Sequence, residues 1–215
     1  MKRPTLIILK TLTWIACLWL AGLLAWGAVT NNLGPDPTAR IAFSTGLATL
    51  YLLTITLAIS PLRRLFPRLS WLIKFRRLLG LFAFFYATLH MLTYVALYSG
   101  FSIAAMESDI ARRRFITMGV AAYLLLVPLA LTSTTWAIRK LGGKNWNRLH
   151  MLIYAAVICG VIHFWWQVKP GVLKPLDITI VVAVLLLARP VLNLVRHRRA
   201  RTAADQTTLG PTVAN

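Results

Sequence analysis

Acidic residues and cysteines are scarce in this sequence. Five Asp and Glu residues stand against 24 Lys and Arg residues, which gives a formal net charge of +19. The two cysteines, Cys17 and Cys159, have no partner at a CxxC or other paired spacing. The sequence therefore predicts no disulfide framework, and both thiols are interpreted as small buried hydrophobic side chains.

Charged residues of both signs make up only 13% of the chain, whereas hydrophobic residues make up 58% and the mean hydropathy is +0.69. A soluble domain has about 25% charged and about 45–50% apolar residues. Here the apolar residues form runs of about twenty, which at 1.5 Å per residue span a hydrocarbon core about 30 Å thick. The excess of basic residues could indicate nucleic-acid binding, but these residues flank the apolar runs. The composition therefore predicts an integral membrane protein built of helices.

The apolar runs predict six spans and an all-α membrane bundle. The connecting segments are short, so we expect one membrane domain over residues 1–201 and no separate soluble catalytic domain. The polar tail, 202–215, has no aromatic residue and is predicted to be disordered. No internal repeat is evident. The first run is longer than a signal-peptide core and lacks an A-x-A site, which favours a retained helix. The approximate spans are Leu6–Val29, Ile41–Ile59, Leu78–Tyr98, Phe115–Ile138, Leu149–Val168 and Leu176–Val195.

The basic residues are distributed unequally between the two sides of the predicted bundle. If the N-terminus is cytoplasmic, seventeen Lys and Arg residues lie on that side and six on the other, with Arg189 inside the last span. Four of the five acidic residues fall on the outer side. The positive-inside rule therefore predicts that both termini are cytoplasmic.

Histidine is also rare, and three of the four histidines lie inside predicted spans. His90, His150 and His163 are polar side chains in an apolar environment, which makes each a candidate functional residue, although interhelical hydrogen bonding would also explain them. His197 follows the last span among basic residues and is interpreted as solvated. A transporter that relays protons would be expected to have central Asp or Glu residues, which the spans lack, and zinc favours a short-spaced cluster. Histidines on two helices suit axial ligation of a heme iron.

Residue counting from the flanking basic residues places the histidines at two depths. His90 lies thirteen residues after Arg77 and His163 lies fifteen after Arg148, so their depths differ by only about 3 Å. We therefore expect these two histidines to hold one heme between spans three and five. His150 lies about 19.5 Å to the cytoplasmic side of His163, which is far enough for a second, inner heme.

The inner heme position has fewer candidate ligands than the outer one. Thirteen residues turn an ideal helix by about 220° beyond full turns, so His150 and His163 do not share one helix face. The positions before His90 that correspond to His150 hold Arg76 and Arg77, so an inner heme would lack a second histidine. These arginines are interpreted either as partners of propionates or as determinants of topology.

Small residues lie beside the two outer histidines. Gly160 is three residues before His163, and Ala87 is three residues before His90, so each lies on the face of its histidine. They could admit a flat ring, or they could serve ordinary small-residue helix packing.

The segments around the histidines resemble a known family. Span three contains KFRRLLGLFAFFYATLH, and span five contains the pattern W-x-RLH-x-L-x-Y, here as WNRLHMLIY, followed by AAVICGVIHFWW. With six spans, these motifs resemble the MsrQ (YedZ) family, which belongs to the ferric-reductase-like transmembrane superfamily. The resemblance covers about residues 5–200 and implies that residues 1–201 form a ferric-reductase-like heme-binding domain.

The resemblance implies a heme b subunit in the bacterial inner membrane that transfers electrons and is not itself the catalytic subunit. Electrons would come from the quinone pool or from a cytoplasmic flavin reductase. They would pass to the periplasmic molybdopterin subunit MsrP, which reduces methionine sulfoxide in oxidised proteins. His90, His150 and His163 carry over as axial ligands of heme iron, and FMN is a further cofactor associated with the family. NADPH-oxidase relatives have two histidines on each helix, so three histidines leave one heme or two open.

The surfaces that would meet an electron donor and acceptor have more than one interpretation. The outer segment Gly100–Arg114 mixes charges of both signs, and we interpret it either as a docking surface for MsrP or as a solvated connection. The basic inner loops are explained by topology and lipid contact, with docking of an acidic donor as the alternative. No NADPH- or FAD-binding domain follows span six, so reducing equivalents are expected from another protein or from quinol.

Overall fold

The computed structural model describes residues 3–168, 175–188 and 190–191. Within these residues the regular structure is entirely helical, which confirms the predicted all-α class. A 3-10 helix, Pro67–Lys74, precedes the third long helix, and a π-helical turn, Tyr94–Tyr98, follows it. The helices are α1 (Arg3–Val29), α2 (Pro37–Leu65), α3 (Arg76–Thr93), α4 (Ile103–Arg112), α5 (Arg114–Leu131), α6 (Thr135–Leu141), α7 (Gly143–Leu149), α8 (Leu152–Gln167) and α9 (Leu176–Ala188).

Five helical segments are long and apolar enough to cross a membrane, and they correspond to the first five predicted spans. These segments are α1, α2, Arg76–Tyr98, α5 and Gly143–Gln167. Helix α9 is a shorter apolar helix at the position of the sixth predicted span. Of the rest of that span, Arg189 and residues 192–195 lie outside the described residues. His197 and the tail 202–215 lie outside them as well. The sixth crossing and the cytoplasmic placement of both termini therefore stay predictions.

Polar side chains end the fourth span earlier than the sequence predicts. The prediction continued it to Ile138, but α5 ends at Leu131. The Thr132 hydroxyl donates to the Pro128 carbonyl (2.6 Å), and the Ser133 hydroxyl donates to the Leu129 carbonyl (2.7 Å). Thr134 then caps α6. Because these side chains satisfy the terminal carbonyl groups locally, the apolar run divides into two helices.

The segment Gly100–Arg114, which is predicted to lie on the outer side, contains the helix α4. After the π-helical turn, Gly100 and Phe101 both adopt positive φ angles (55° and 60°), which turn the chain sharply. The Ser102 hydroxyl then accepts a hydrogen bond from the Ala105 amide (3.3 Å) and caps α4. Helix α4 therefore lies at the end of the bundle that follows His90, and we call this end the α4 end.

The core of the bundle is formed by two helix pairs, α2 with α3 and α5 with α8, which meet along α3 and α5. Its most buried side chains include Leu53, Ala83 and Val157, which are 2% exposed or less. Helix α1 lies at the periphery, where the buried Tyr86 hydroxyl donates to the Cys17 carbonyl of α1. Both Cys17 and Cys159 are free thiols, as predicted, although each is half-buried rather than fully buried.

Candidate cofactor site between two helix pairs

A cavity of ≈ 250 Å³ lies among α2, α3, α5 and α8. Its walls are mainly apolar, with contributions from Leu50, Leu53 and Phe164. Two of the predicted site residues, His90 of α3 and His163 of α8, line it together. The structure thus brings together the two histidines that residue counting placed at one depth.

The His90 ring is held by the neighbouring helix α2. Its Nδ1 lies 2.8 Å from the carbonyl oxygen of Ala42. A carbonyl oxygen can only accept a hydrogen bond, so Nδ1 carries the proton and Nε2 keeps its lone pair. This backbone contact fixes both the tautomer and the direction of the ring.

The His163 ring is held in the same way by α5. Its Nδ1 donates to the carbonyl oxygen of Phe115 at 2.6 Å. The Nε2 atom of His163 is buried and has no hydrogen-bond partner in the part of the chain that the structure describes. A buried nitrogen lone pair without a partner is unfavourable. The site therefore presents a directed imidazole nitrogen that is suited to a metal centre.

Two glycines make room for the two rings. A Cβ atom at Gly46 would lie 3.1 Å from Nδ1 and Cε1 of His90, and one at Gly119 would lie 2.8 Å from Nδ1 of His163. Each glycine lies one helical turn after Ala42 or Phe115, the residue whose carbonyl oxygen accepts the hydrogen bond from the histidine. Any larger residue at either position would occupy the space of the imidazole ring.

These contacts form a structural repeat that the sequence analysis missed. The histidine and the residue whose carbonyl it contacts are 48 positions apart in both helix pairs. Gly46 and Gly119 precede their histidines by equal intervals as well. This repeat was visible in the sequence, because Gly46 and Gly119 precede His90 and His163 by the same number of positions. It carries little weight alone, because glycine is common in membrane helices.

The two rings face each other across the cavity at close range. Their centroids are 5.9 Å apart, and their planes are nearly perpendicular, at 82°. Since each Nδ1 is directed to a backbone carbonyl, the remaining nitrogen of each ring is available to a group between them. The pair is therefore a two-nitrogen donor set of the kind that axial heme ligation uses.

His150 does not belong to this cavity. It lies in the turn between α7 and α8, because α8 begins at Leu152 and not at Leu149 as predicted, so the ideal-helix rotation calculated for this histidine does not apply. Its ring stacks on Trp146 (centroids 3.8 Å apart), and its Nδ1 lies 3.1 Å from the Trp146 carbonyl oxygen. Its buried Nε2 has no hydrogen-bond partner among the described residues.

The two arginines at the inner position have different environments. Arg76 is partly buried, and its Nη1 lies 3.4 Å from the Ser60 hydroxyl, whereas Arg77 is exposed. Arg76 therefore contacts α2 through Ser60 and is shielded in part from solvent. Its guanidinium cannot replace the missing second imidazole, because it remains protonated and has no free lone pair.

The small residues beside the histidines have separate roles. A Cβ atom at Gly160 would lie 3.0 Å from Cδ2 of Leu50, so this glycine permits close packing of α8 against α2. Ala87 is buried and lines the cavity beside His90. Gly160 also lines the cavity, so both interpretations, helix packing and room for a flat ring, stay open for it.

The described residues contain no group of three His, Cys, Asp or Glu side chains that could hold a metal ion. A metal held by a macrocycle needs only axial protein ligands, so the histidine pair is compatible with heme.

Comparison with known proteins identifies the family. Residues 45–161 match the family described as ferric reductase like transmembrane component. The chain is 45% identical over 188 residues to a protein of Herminiimonas arsenicoxydans named protein-methionine-sulfoxide reductase heme-binding subunit MsrQ, a match that covers 86% of each chain. A protein of that name from Ralstonia nicotianae is 46% identical over 156 residues, which are 73% of this chain and 71% of the relative. Another, from Xanthomonas oryzae pv. oryzae, is 44% identical over 213 residues, which are 95% of this chain and 96% of the relative. The chain therefore belongs to the MsrQ family of ferric-reductase-like transmembrane proteins.

Proposed function

We propose that this chain is a heme b membrane subunit that transfers electrons, with His90 and His163 as the axial ligands of one heme. The observation that carries the proposal is the pair of imidazole rings in one cavity, each with its Nδ1–H donated to a backbone carbonyl. The relatives' names, which describe a heme-binding subunit, support the same cofactor.

The cavity residues fit a heme in several respects. The backbone contacts at Ala42 and Phe115 orient the rings and raise the basicity of the opposite nitrogens, as partners of metal-bound histidines do. Gly46 and Gly119 keep the rings free to take this orientation. When bound, the heme supplies reversible one-electron transfer. The apolar walls exclude water from the ring nitrogens, and the stiff helix backbones hold both rings in place.

His150 stays a predicted ligand without an assigned partner. Its buried Nε2 leaves it able to contact a further group, but the described residues around it include no second histidine. We therefore propose one heme per chain, at His90 and His163. FMN is retained as a second cofactor on the family resemblance alone, and we assign it no residues.

The proposed path runs from the predicted cytoplasmic side to the α4 end. Electrons would enter from the quinone pool or from a cytoplasmic flavin reductase, and would leave to the periplasmic molybdopterin subunit MsrP for repair of methionine sulfoxide. The relatives' names, which describe a subunit of a protein-methionine-sulfoxide reductase, support the part of this proposal that concerns methionine sulfoxide. The chain would then be an inner-membrane electron-transfer subunit, with the chemistry on methionine sulfoxide performed by its partner.

The alternative, a proton- or ion-coupled transporter, receives less support from the contacts of the histidines. A relay histidine must exchange its proton with neighbouring groups. Here the Nδ1 protons of His90 and His163 are both held by helix carbonyl oxygens. The described carboxylates, at Asp36, Glu107, Asp109 and Asp177, all lie near helix ends or on α4, away from the middle of the spans.

The proposal predicts a red protein. The full chain, expressed with heme supplied and purified in detergent, is expected to show a Soret band and an α band that sharpens on reduction with dithionite. Pyridine-hemochrome analysis should give about one heme per polypeptide, because one pair of histidines holds it. A folded but colourless preparation would contradict the proposed function.

A further inference from the structure

Most of the polar side chains that line the cavity beyond the histidines lie at the α4 end, on the π-helical turn, on or just after α4, and at the end of α8. The exceptions among the described lining residues are Thr49 of α2 and Tyr123 of α5. Two of the side chains at the α4 end lie one helical turn after a histidine, Tyr94 on the π-helical turn and Gln167 on α8. A flat amphipathic ligand would thus place its charged edge at this end. The polar group comprises Tyr94, Tyr98, Asp109, Arg113 and Gln167.

The backbone after His90 is arranged to bring these side chains to the cavity. The π-helical turn Tyr94–Tyr98 widens the helix, as shown by the Ser99 amide donating to the Tyr94 carbonyl (2.9 Å) and the Phe101 amide donating to the Val95 carbonyl (2.8 Å). Such turns are rare and occur frequently at functional sites. The chain then reverses at Gly100 and Phe101, so that α4 returns over the cavity.

Arg113 is held in position at this end. The Arg113 side chain is 59% exposed, and its Nε lies 3.1 Å from Oδ1 of Asp109, while the Tyr94 hydroxyl donates to Oδ2 of the same carboxylate at 3.3 Å. Arg113 also lies two residues before Phe115, whose carbonyl orients His163. A guanidinium has five N–H donors, so an ion pair through Nε leaves capacity for a second anion.

We infer that Arg113 binds the propionate carboxylates of the heme held by His90 and His163, and that Asp109 and Tyr94 fix the direction of its guanidinium. This inference rests on the proposed function. Two ionised carboxylates cannot be left unpaired against the apolar walls, and Arg pairs with carboxylates through two parallel hydrogen bonds. Among the described residues that line the cavity, Arg113 carries the only permanent positive charge. The charged edge of the heme therefore points to the α4 end.

The test compares Arg113→Gln with Arg112→Gln, a neighbouring exposed arginine that does not line the cavity. Full-length protein produced without heme is titrated in detergent with ferric protoporphyrin IX and, separately, with its dimethyl ester. Arg113→Gln is expected to weaken binding of the free acid by about tenfold, the loss typical of one hydrogen bond to a charged group. Arg112→Gln should stay within about twofold of wild type, because Arg112 is exposed like Arg113 but does not line the cavity. With the dimethyl ester, wild type and Arg113→Gln should bind equally, because the ester has no carboxylate to pair.

Redox titration supplies a second measurement, the midpoint potential of the heme. A purely structural role of Arg113 would not change this potential in the direction expected from its charge. Removing the positive charge of Arg113 disfavours the reduced heme, so Arg113→Gln should lower the midpoint potential. Asp109→Asn removes a negative charge and should raise it. Arg113→Lys, which keeps the charge but loses the planar fork, should bind the free acid with intermediate affinity.

Equal binding of the free acid by Arg113→Gln and Arg112→Gln would overturn the inference, as would a tenfold loss that persists with the dimethyl ester. In both cases wild type still binds heme, and the proposed function stands. Failure of wild type to bind either porphyrin would overturn the proposed function, and this inference with it.

Discussion

Replacing His163 with alanine is expected to leave the purified protein almost free of heme. The wild-type cavity offers a buried Nε2 that has no hydrogen-bond partner among the described residues, and the substitution removes it. The remaining ring, His90, would then be a single axial ligand, because the described residues that line the opposite wall offer no second imidazole. Loss of a direct ligand should exceed the 10- to 100-fold loss of affinity that is roughly typical for removing a ligand's hydrogen-bond partner. Heme per polypeptide, measured after purification, checks this prediction.

His150→Ala is the matched control, because it also removes an imidazole with a buried, unpartnered Nε2 but lies outside the cavity. It should keep the heme at His90 and His163. His90→Ala should behave like His163→Ala, since the two rings face each other at 5.9 Å. Normal heme content in both cavity variants would show that the pairing is wrong. Loss of heme in His150→Ala alone would move the site to the opposite end of the bundle.

Gly119→Ala is expected to have the second largest effect, although it adds a single methyl group. The added Cβ would lie 2.8 Å from Nδ1 and 2.9 Å from Cε1 of His163, closer than any relaxed contact allows. The ring must move, and the 2.6 Å hydrogen bond to Phe115 is weakened or lost. Overpacking of this kind typically lowers the free energy of unfolding by about 1–3 kcal/mol, and disturbing a ligand's hydrogen-bond partner lowers metal affinity by about 10- to 100-fold.

Substitutions at two other glycines test how the loss of heme affinity depends on the distance between the added Cβ and a histidine ring. Gly46→Ala places its Cβ 3.1 Å from the His90 ring and should reduce heme affinity less than Gly119→Ala. Gly22→Ala on α1 meets nothing within 4 Å and should leave affinity unchanged. Heme titration of the three variants should therefore rank Gly119→Ala below Gly46→Ala, and both below Gly22→Ala. Equal affinities for the variants at Gly119 and Gly22 would show that ring clearance plays no part in heme binding.

The spans and the depth of the histidines could be predicted because both follow from counting. The thickness of a bilayer sets the length of an apolar run, and a constant rise per residue converts sequence position into depth. This is why the five long helices agree with the first five predicted spans, and why His90 and His163 meet in one cavity. The count was less accurate at His150, where the helix is interrupted before Leu152.

The partners of the histidines could not be predicted, because they depend on which helices pack together. The carbonyl groups of Ala42 and Phe115 carry no side-chain signature, and they become visible only when α2 contacts α3 and α5 contacts α8. The end of α5 was missed for a local reason, since the hydroxyl groups of Thr132 and Ser133 compete for terminal carbonyls within an apolar run. Arg113, interpreted from sequence as one of several outer charges, reaches the cavity through the π-helical turn and α4.

The central claim is that two imidazole nitrogens, from His90 and His163, bind one heme iron. Electron paramagnetic resonance of the ferric wild-type protein, beside His163→Ala reconstituted with added heme, tests it most directly, because two strong axial nitrogen ligands favour low-spin iron and one does not. We predict a low-spin signal from wild type that is replaced by a high-spin signal, or disappears with the heme, in His163→Ala. A high-spin wild-type signal, or a low-spin signal that survives unchanged in His163→Ala, would contradict the account.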